Sequence, residues 1–192
     1  MTQPADIERV IDGAATSFGG IDILINNVGG SRGGQTWDTS DDDWNLALDL
    51  NLFAAIRASR QAIPIMHQRG GGRIINISSI YGREAGGPMT YNVVKAGMNS
   101  WSKSLAKQLA PDGILVNVVA PGSILFPGGS WERRQQDNPE FIANFVRTEM
   151  PLGRFGHPEE VAAMVVFLAS QRGSLMTGAC INVDGCQSRS NI

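Results

Sequence analysis

Four short apolar runs, separated by longer segments of helical periodicity, constrain the fold of this chain more than any other feature. The runs are residues 21–25, 74–78, 114–119 and 179–183. Short, mostly apolar runs are typical of strands that are covered on both faces, as in a parallel sheet. Parallel strands need long crossover connections, which are usually helices, so the alternation predicts an α/β fold.

Helical periodicity fills the first two intervals clearly. Residues 6–18 carry apolar side chains at helical spacing and are followed by a Gly-Gly pair that ends the helix. Thr39 or Ser40 can cap a second helix, which continues through Asn51 towards Met66. Its first turn carries three aspartates, and these suit the positive end of the helix dipole better than they suggest a metal site.

The size and composition of the chain are those of one globular domain, expected over residues 1–192. The chain is 42% hydrophobic and 18% charged, with a net charge of −2. A charge this small gives no general attraction to nucleic acid or acidic lipid. The first residues lack the basic start of a signal peptide, and no apolar run approaches the ~20 residues that span a membrane. Two cysteines match no metal-ligand spacing, so we expect a reduced, cytoplasmic protein without a metal site.

Polar residues and glycines follow three of the four apolar runs. Asn26-Asn27-Val28-Gly29 closes the first run, Ser78-Ser79 closes the second, and Pro121-Gly122 follows the third. Ligands of open parallel sheets bind at the carboxyl ends of the strands, so these residues are predicted to flank one site. The glycine-rich segment 29–34 is either a flexible connector or part of that site.

Tyr91 and Lys95 are four residues apart near the start of a long helical segment. On a helix this spacing places them on one face, roughly 5–6 Å apart at Cβ. A phenol titrates near pH ~10, and a neighbouring ammonium lowers that pKa towards the range that acid–base catalysis uses. By itself the pair is more typical of an amphipathic helix surface, so its interpretation depends on the surrounding motifs.

The motifs together resemble the short-chain dehydrogenase/reductase family. Asn-Asn-x-Gly, Asn51, Ser79, Tyr-x-x-x-Lys at 91–95 and Pro-Gly at 121–122 occur in the family's order. The resemblance covers about residues 5–186 and is nearest to the branch of the 3-oxoacyl-carrier-protein reductases. It implies a Rossmann-like, doubly wound parallel sheet. It also implies NAD(P)-dependent hydride transfer between nicotinamide and a carbonyl or secondary alcohol.

The resemblance implies four catalytic residues. Tyr91 would be the general acid or base, Lys95 would lower its pKa and contact the nicotinamide ribose, and Ser79 would donate to the substrate oxygen. Asn51 lies among apolar residues and is either a structural bridge or the family's asparagine that holds a water for proton relay, and we favour the second. Ser78 competes with Ser79, but the strand register and the family pattern favour Ser79.

The implied cofactor is NAD or NADP. Besides Tyr91 and Lys95, its predicted contacts are Asn27, Val28, Gly29, Pro121, Gly122 and Ile124. The substrate is expected in a loop at about residues 123–150. Arg133-Arg134 could meet an anionic substrate there, although a solvated helix face is favoured. The sequence departs from the family pattern at Val28, Val94 and Phe126, and the last change removes a hydroxyl contact to the cofactor.

A glycine-rich phosphate-binding turn, which the family carries after its first strand, does not precede residue 21. We therefore expect an N-terminally truncated Rossmann-like domain, a four-stranded block whose first strand lies at an edge and favours association. Two hypotheses follow. The chain is an oxidoreductase of the family type, or it is a non-catalytic truncated member that cannot hold the dinucleotide and acts by association. The resemblance also implies a homo-oligomer, either a tetramer or a dimer.

Overall fold

The computed structural model describes residues 3–31, 34 and 36–191. Within them four strands form one sheet: β1 (Ile23–Asn26), β2 (Gly72–Ile77), β3 (Ile114–Pro121) and β4 (Cys180–Val183). All neighbouring strands are parallel, and they lie in the order β1-β2-β3-β4. The predicted α/β fold with a parallel sheet is confirmed.

Helices connect these strands. They are α1 (Pro4–Phe18), α2 (Asp41–Leu48), α3 (Ala54–Gln68), α4 (Met89–Leu109), α5 (Ser130–Asp137), α6 (Pro139–Glu149) and α7 (Pro158–Ala169). A π-helical turn, Asp49–Phe53, joins α2 to α3, and a 3-10 turn, Ile80–Gly82, follows β2. In the part of the chain that the structure describes, no helix has the length and apolar character to cross a membrane.

Local signals set the ends of these helices. Gly19 ends α1 with a φ of 74°, a left-handed conformation that glycine adopts without steric cost. Ser40 rather than Thr39 caps α2, because its hydroxyl accepts a hydrogen bond from the backbone N–H of Asp43 at 3.2 Å. The second predicted helix is thus present, and the π-helical turn interrupts it near its middle.

Two hydrophobic cores lie on opposite faces of the sheet. On one face α1, α3 and α4 pack against the strands, in a core that includes Ile7, Ala58, Met66, Ile74, Leu109 and Val116. On the other face α7 contributes Val165 and Leu168, which pack with Ile75 of β2 and Val119 of β3. Helices therefore cover both faces, as the predicted Rossmann-like, doubly wound architecture requires.

β1 is an edge strand that is covered on one face only. Leu24 and Asn26 face the core formed with α1 and α3, whereas Ile23 and Ile25 are 46% and 47% exposed. The prediction that residues 21–25 are covered on both faces was wrong, because α7 packs on the later strands of the sheet. The strand also begins later than predicted, and Ile21 is buried in the core that contains α1.

The segment after β3 forms a small lobe around an aromatic cluster. Trp131 stacks on Phe145 with ring centroids 4.7 Å apart, and Phe155 packs against both rings. The guanidinium of Arg134 lies 4.9 Å from the Trp131 ring centroid, and Arg133 donates to a backbone carbonyl of the same lobe. The arginine pair therefore contacts the lobe itself, which contains α5 and α6 and includes the predicted substrate loop.

Candidate active site

Two serines directly follow β2, and both are buried. The hydroxyl of Ser79 accepts a hydrogen bond from the backbone N–H of Tyr81 at 3.2 Å and lies close enough to the Tyr91 phenol to lower its pKa. The hydroxyl of Ser78 instead donates to the backbone carbonyl of Lys95 at 3.3 Å. Of the two serines, Ser79 is the one that the structure places against Tyr91.

Tyr91 and Lys95 lie on one face of α4, in its first two turns. The Lys95 Nζ atom is 5.4 Å from the centroid of the Tyr91 ring and donates to the carbonyl oxygen of Ile77 at 2.8 Å. Lys95 is only 3% exposed. Burial lowers the pKa of its ammonium from 10.5 to about 8, so the charged form still predominates at neutral pH.

The pKa of Tyr91 is shifted in the opposite direction from the one predicted. Burial raises it above 10, and the effect of Ser79 offsets only part of that rise. The ammonium of Lys95 is bound to the carbonyl of Ile77 and lies beside the tyrosine ring. A phenol with a raised pKa stays protonated at neutral pH, so it can donate its proton.

The π-helical turn between α2 and α3 carries Asn51, which is fully buried. Its Nδ2 atom donates to the carbonyls of Ala47 (3.1 Å) and Gly30 (3.0 Å), and its Oδ1 atom accepts from the Gly30 N–H at 3.0 Å. Such π-helical turns are frequent at functional sites. These contacts are those of a structural bridge to the loop after β1, and the proton-relay role remains a prediction.

Gly29 lies between Asn51 and Lys95. A Cβ atom on Gly29 would stand 2.7 Å from Asn51 Oδ1 and 3.4 Å from Lys95 Nζ. Three hydrogen bonds hold the Asn51 side chain, so it has no freedom to retreat from such an atom. Glycine at this position therefore lets the loop after β1 close on the two polar side chains.

The other predicted cofactor contacts lie at the same edge of the sheet: Asn27 and Val28 after β1, Pro121 and Gly122 at the end of β3, and Ile124 beyond it. They share this edge with Ser79 because β1, β2 and β3 are adjacent and parallel. In the predicted glycine-rich segment, Arg32 and Gly33 lie outside the described residues. Among those that are described, no group of three His, Cys, Asp or Glu side chains could hold a metal ion.

Asn92 supports the site but was not predicted from the sequence. Its side-chain amide donates to the backbone carbonyls of Tyr81 and Glu84. It thereby ties the loop between Ser79 and Tyr91 to the first turn of α4. No periodicity or motif distinguishes Asn92 from a surface residue, so its role depends on where the loop folds.

A buried polar network between the sheet and helices α3 and α4 was also not predicted from the sequence. Asn26 of β1 donates to the amide oxygen of Asn76 in β2 at 2.7 Å, and Asn76 donates to the hydroxyl of Ser102 in α4 at 2.8 Å. Asn26 also donates to Ser59 of α3 at 3.1 Å. An asparagine inside an apolar strand is the available signal, because a buried amide must find hydrogen-bond partners.

Comparison with known proteins identifies the class to which this fold and site belong. The family model described as Enoyl-(Acyl carrier protein) reductase matches residues 1–187. The chain belongs to this family and is a short-chain dehydrogenase/reductase.

Curated relatives within the family include 3-oxoacyl-[acyl-carrier-protein] reductases. The chain is 38% identical over 190 residues to the enzyme FabG of Salmonella typhimurium and 35% identical over 186 residues to that of Thermotoga maritima. Each match covers 96% of this chain, and the two cover 74% and 73% of the relatives. The family and these relatives indicate a protein of the oxidoreductase type.

A solved structure agrees with this assignment. L-sorbose reductase from Gluconobacter frateurii, in complex with NADPH and L-sorbose, matches with a TM-score of 0.90 at 33% identity. The match covers 98% of this chain and 74% of that protein. The predicted resemblance to the short-chain dehydrogenases/reductases and the Rossmann-like fold are both confirmed.

Proposed function

We propose that this chain is an NAD(P)-dependent oxidoreductase that reduces the carbonyl group of a small substrate to a secondary alcohol. The close approach of the Ser79 and Tyr91 side chains carries the proposal. This pair lies at the carboxyl edge of the sheet, one helical turn from the buried ammonium of Lys95. Two hydroxyl groups in this arrangement can polarise a carbonyl oxygen and give it a proton.

Tyr91 is the proton donor in this proposal. Burial raises its pKa, so the phenol is protonated at neutral pH, which is the form that reduction requires. As negative charge develops on the substrate oxygen, Ser79 donates a hydrogen bond to it and Tyr91 transfers its proton. When bound, the nicotinamide supplies the hydride. The reverse oxidation needs the phenolate, so it is favoured at higher pH.

Lys95 and Asn51 support this proton transfer. The Lys95 ammonium has three N–H donors, of which the Ile77 carbonyl accepts one. The others are suited to the nicotinamide ribose and to a water. We retain Asn51 as the residue that would hold a relay water, since its Oδ1 atom and the Lys95 Nζ atom both border Gly29.

The proposed cofactor is NAD or NADP, bound through its nicotinamide end. Its contacts would be Asn27, Val28, Gly29, Tyr91, Lys95, Pro121, Gly122 and Ile124. A Cβ on the adjacent Gly30 would meet no atom of the described residues within 4 Å, so these residues leave open space beside it. The similar proteins are reductases of a 3-oxoacyl group and of L-sorbose, which supports a small carbonyl or alcohol substrate.

A second candidate function is association without catalysis, and the edge strand β1 favours it. Its side chains Ile23 and Ile25 are about half exposed, and apolar edge strands pair readily with other chains. In this alternative the chain forms a dimer or tetramer through β1. Light scattering tests this alternative: a dimer or tetramer that Ile25→Lys converts to a monomer supports it, and a monomeric wild-type chain contradicts it.

Calorimetric titration of the purified chain with NADH and NADPH separately tests the oxidoreductase proposal. Micromolar binding of either cofactor, followed by its oxidation when a small carbonyl compound is added, supports the proposal. A folded chain that binds neither cofactor overturns it and leaves the association hypothesis.

A further inference from the structure

The segment after β4 folds back onto the active site. We call residues 184–190 the tail segment. Asp184 turns it, because its carboxylate accepts hydrogen bonds from the backbone N–H groups of Cys186 at 3.0 Å and Ser188 at 2.9 Å. After this turn the tail segment reaches two loops that border the proposed site.

The first attachment joins Gln187 to Ser123, which is buried just beyond β3. The Gln187 Oε1 atom accepts from the Ser123 backbone N–H at 2.7 Å, and its Nε2 atom donates to the Ser123 hydroxyl at 2.9 Å. A Cβ on Gly122 would stand 2.7 Å from the same Oε1 atom. The side chain of Gln187 therefore packs closely on the Pro121-Gly122-Ser123 backbone.

The second attachment joins the tail segment to Glu84, in the loop between Ser79 and Tyr91. One carboxylate oxygen of Glu84 accepts hydrogen bonds from the Ser188 hydroxyl and from the backbone N–H groups of Arg189 and Ser190, at 2.7 to 2.8 Å. Asn92 binds the backbone carbonyl of Glu84 at 2.7 Å. This loop is thus held by the tail segment on one side and by α4 on the other.

A cavity of about 270 Å³ lies between these attachments. The loop after β2 lines it with Tyr81 and Glu84, α6 with Phe145 and Glu149, and the tail segment with Gln187 and Arg189. Arg189 also donates to Glu149 at 2.9 Å, so the tail segment contacts α6 as well. Tyr81, which lines the cavity, donates its backbone N–H to the hydroxyl of Ser79.

We propose that Glu84 and Gln187 are positioning residues that act through the tail segment. Together they hold the loop after β2 and the segment after β3 at a fixed separation and keep the cavity between them small. The inference rests on the proposed function, since it treats this cavity as the place for the part of the substrate beyond its carbonyl. We call the two attachments together the brace. The cavity volume lies just below the ~300–1,000 Å³ typical of drug-sized ligand sites, so we expect a cavity held at this size to favour small carbonyl compounds.

Hydrogen exchange of the full chain tests the brace without requiring activity. Glu84→Ala removes the acceptor of the Arg189 N–H group and one of two acceptors of the Ser190 N–H group, the other being the Ser188 hydroxyl. We expect faster exchange at these amides and also at Ser123. Gln187→Ala should produce the reciprocal effect, with faster exchange at Arg189 and Ser190. We expect roughly tenfold changes at the distant amides, as for a segment that opens as a unit. Unchanged exchange at the distant amides overturns the brace.

Matched variants keep this test interpretable. Glu84→Gln retains an acceptor oxygen but loses the charge, so its effect should be smaller than that of Glu84→Ala. Glu8→Ala, on the exposed surface of α1, is the control and should change neither distant amide. Arg83 joins the same loop to β4 through the carbonyl of Cys180, so loss of the Glu84 carboxylate should loosen the loop without unfolding it.

A substrate comparison tests the consequence for specificity. The ratio of kcat/KM for methyl acetoacetate to that for ethyl benzoylacetate, a bulkier 3-oxo ester, does not depend on the active fraction of a preparation. We expect this ratio to fall roughly tenfold in Glu84→Ala and Gln187→Ala, mainly through KM. An unchanged ratio overturns the specificity role. If the wild-type chain reduces neither ester, the specificity role is overturned, cofactor titration decides the proposed function, and the exchange measurement decides whether the brace exists.

Discussion

Ser79 and Tyr91 lie on different elements, the end of β2 and the first turn of α4, and their side chains lie close enough for Ser79 to lower the pKa of Tyr91. Each partner has its own support. Ser79 accepts from the backbone N–H of Tyr81, and Asn92 anchors the intervening loop beside Tyr91. The two hydroxyl groups are therefore held together by the fold itself, which is the preorganisation that charge-stabilising groups need.

Replacement of Tyr91 by phenylalanine removes the proton donor and keeps the ring. If the proposed function holds, we expect kcat to fall about 10²–10⁴-fold, the usual contribution of a general acid. Steady-state kinetics measures the change, and circular dichroism with cofactor titration shows whether the fold and the binding site are intact. A variant that retains full turnover would remove Tyr91 from the mechanism.

The buried ammonium of Lys95 makes stability depend on pH. Its pKa is lowered from 10.5 to about 8 on folding, so between these values the unfolded chain binds a proton that the folded chain has lost. The free energy of unfolding should therefore rise with pH across this window, by about 2–3 kcal/mol between pH ~7 and ~10. Urea unfolding of the wild type and of Lys95→Met at both pH values measures it. The same pH dependence in the two proteins would contradict the assignment to Lys95.

Gly29→Ala should disturb the contact between the loop after β1 and the side chains of Asn51 and Lys95. The added methyl group would stand 2.7 Å from Asn51 Oδ1, so Asn51 or the loop must move. We expect kcat/KM to fall roughly tenfold or more, since small misplacements of catalytic groups are costly. Gly13→Ala, on the exposed surface of α1, is the matched control, because its methyl group would meet none of the described residues within 4 Å. Equal effects of the two substitutions would rule out this explanation.

Asn76→Ala should destabilise the fold through the buried polar network. It removes the acceptor for Asn26 and the donor to Ser102, and buried polar groups without partners are costly. We expect a loss of about 2–3 kcal/mol in the free energy of unfolding, measured by urea denaturation. Asn45→Ala, at an exposed position of α2, serves as the comparison. A loss no larger than in that control would mean that the network contributes little.

Cys186→Gly should stabilise the chain. Cys186 is the non-glycine residue with a positive φ, 67°, among the residues that the structure describes. Glycine reaches this conformation without the Cβ clash, so we expect a gain of about 0.5–1 kcal/mol after the greater freedom of the unfolded glycine is subtracted. Thermal unfolding measures the gain. Cys186→Ala keeps the Cβ atom and should show no such gain, which separates backbone strain from loss of the thiol.

The sequence predicted the elements whose signals are local. Apolar runs with polar ends identified the parallel strands, because strand and helix periodicity repeat over a few residues. Capping serines, glycines and prolines marked the ends of the helices. The order of Asn51, Ser79, Tyr91 and Lys95 identified the family. Parallel strands also share a carboxyl edge, so the sequence predicts that Ser79 and the residues after β1 and β3 lie at one place.

Tertiary structure alone decided the properties that depend on distant neighbours. The sequence of β1 resembles that of a strand covered on both faces, yet Ile23 and Ile25 are exposed because α7 packs elsewhere. The pKa of Tyr91 is raised rather than lowered, because its burial outweighs the effect of Ser79. Glu84 meets the tail segment, and Gln187 of that segment meets Ser123, across long stretches of chain. Burial and such long-range contacts arise from packing between elements, and no local periodicity encodes them.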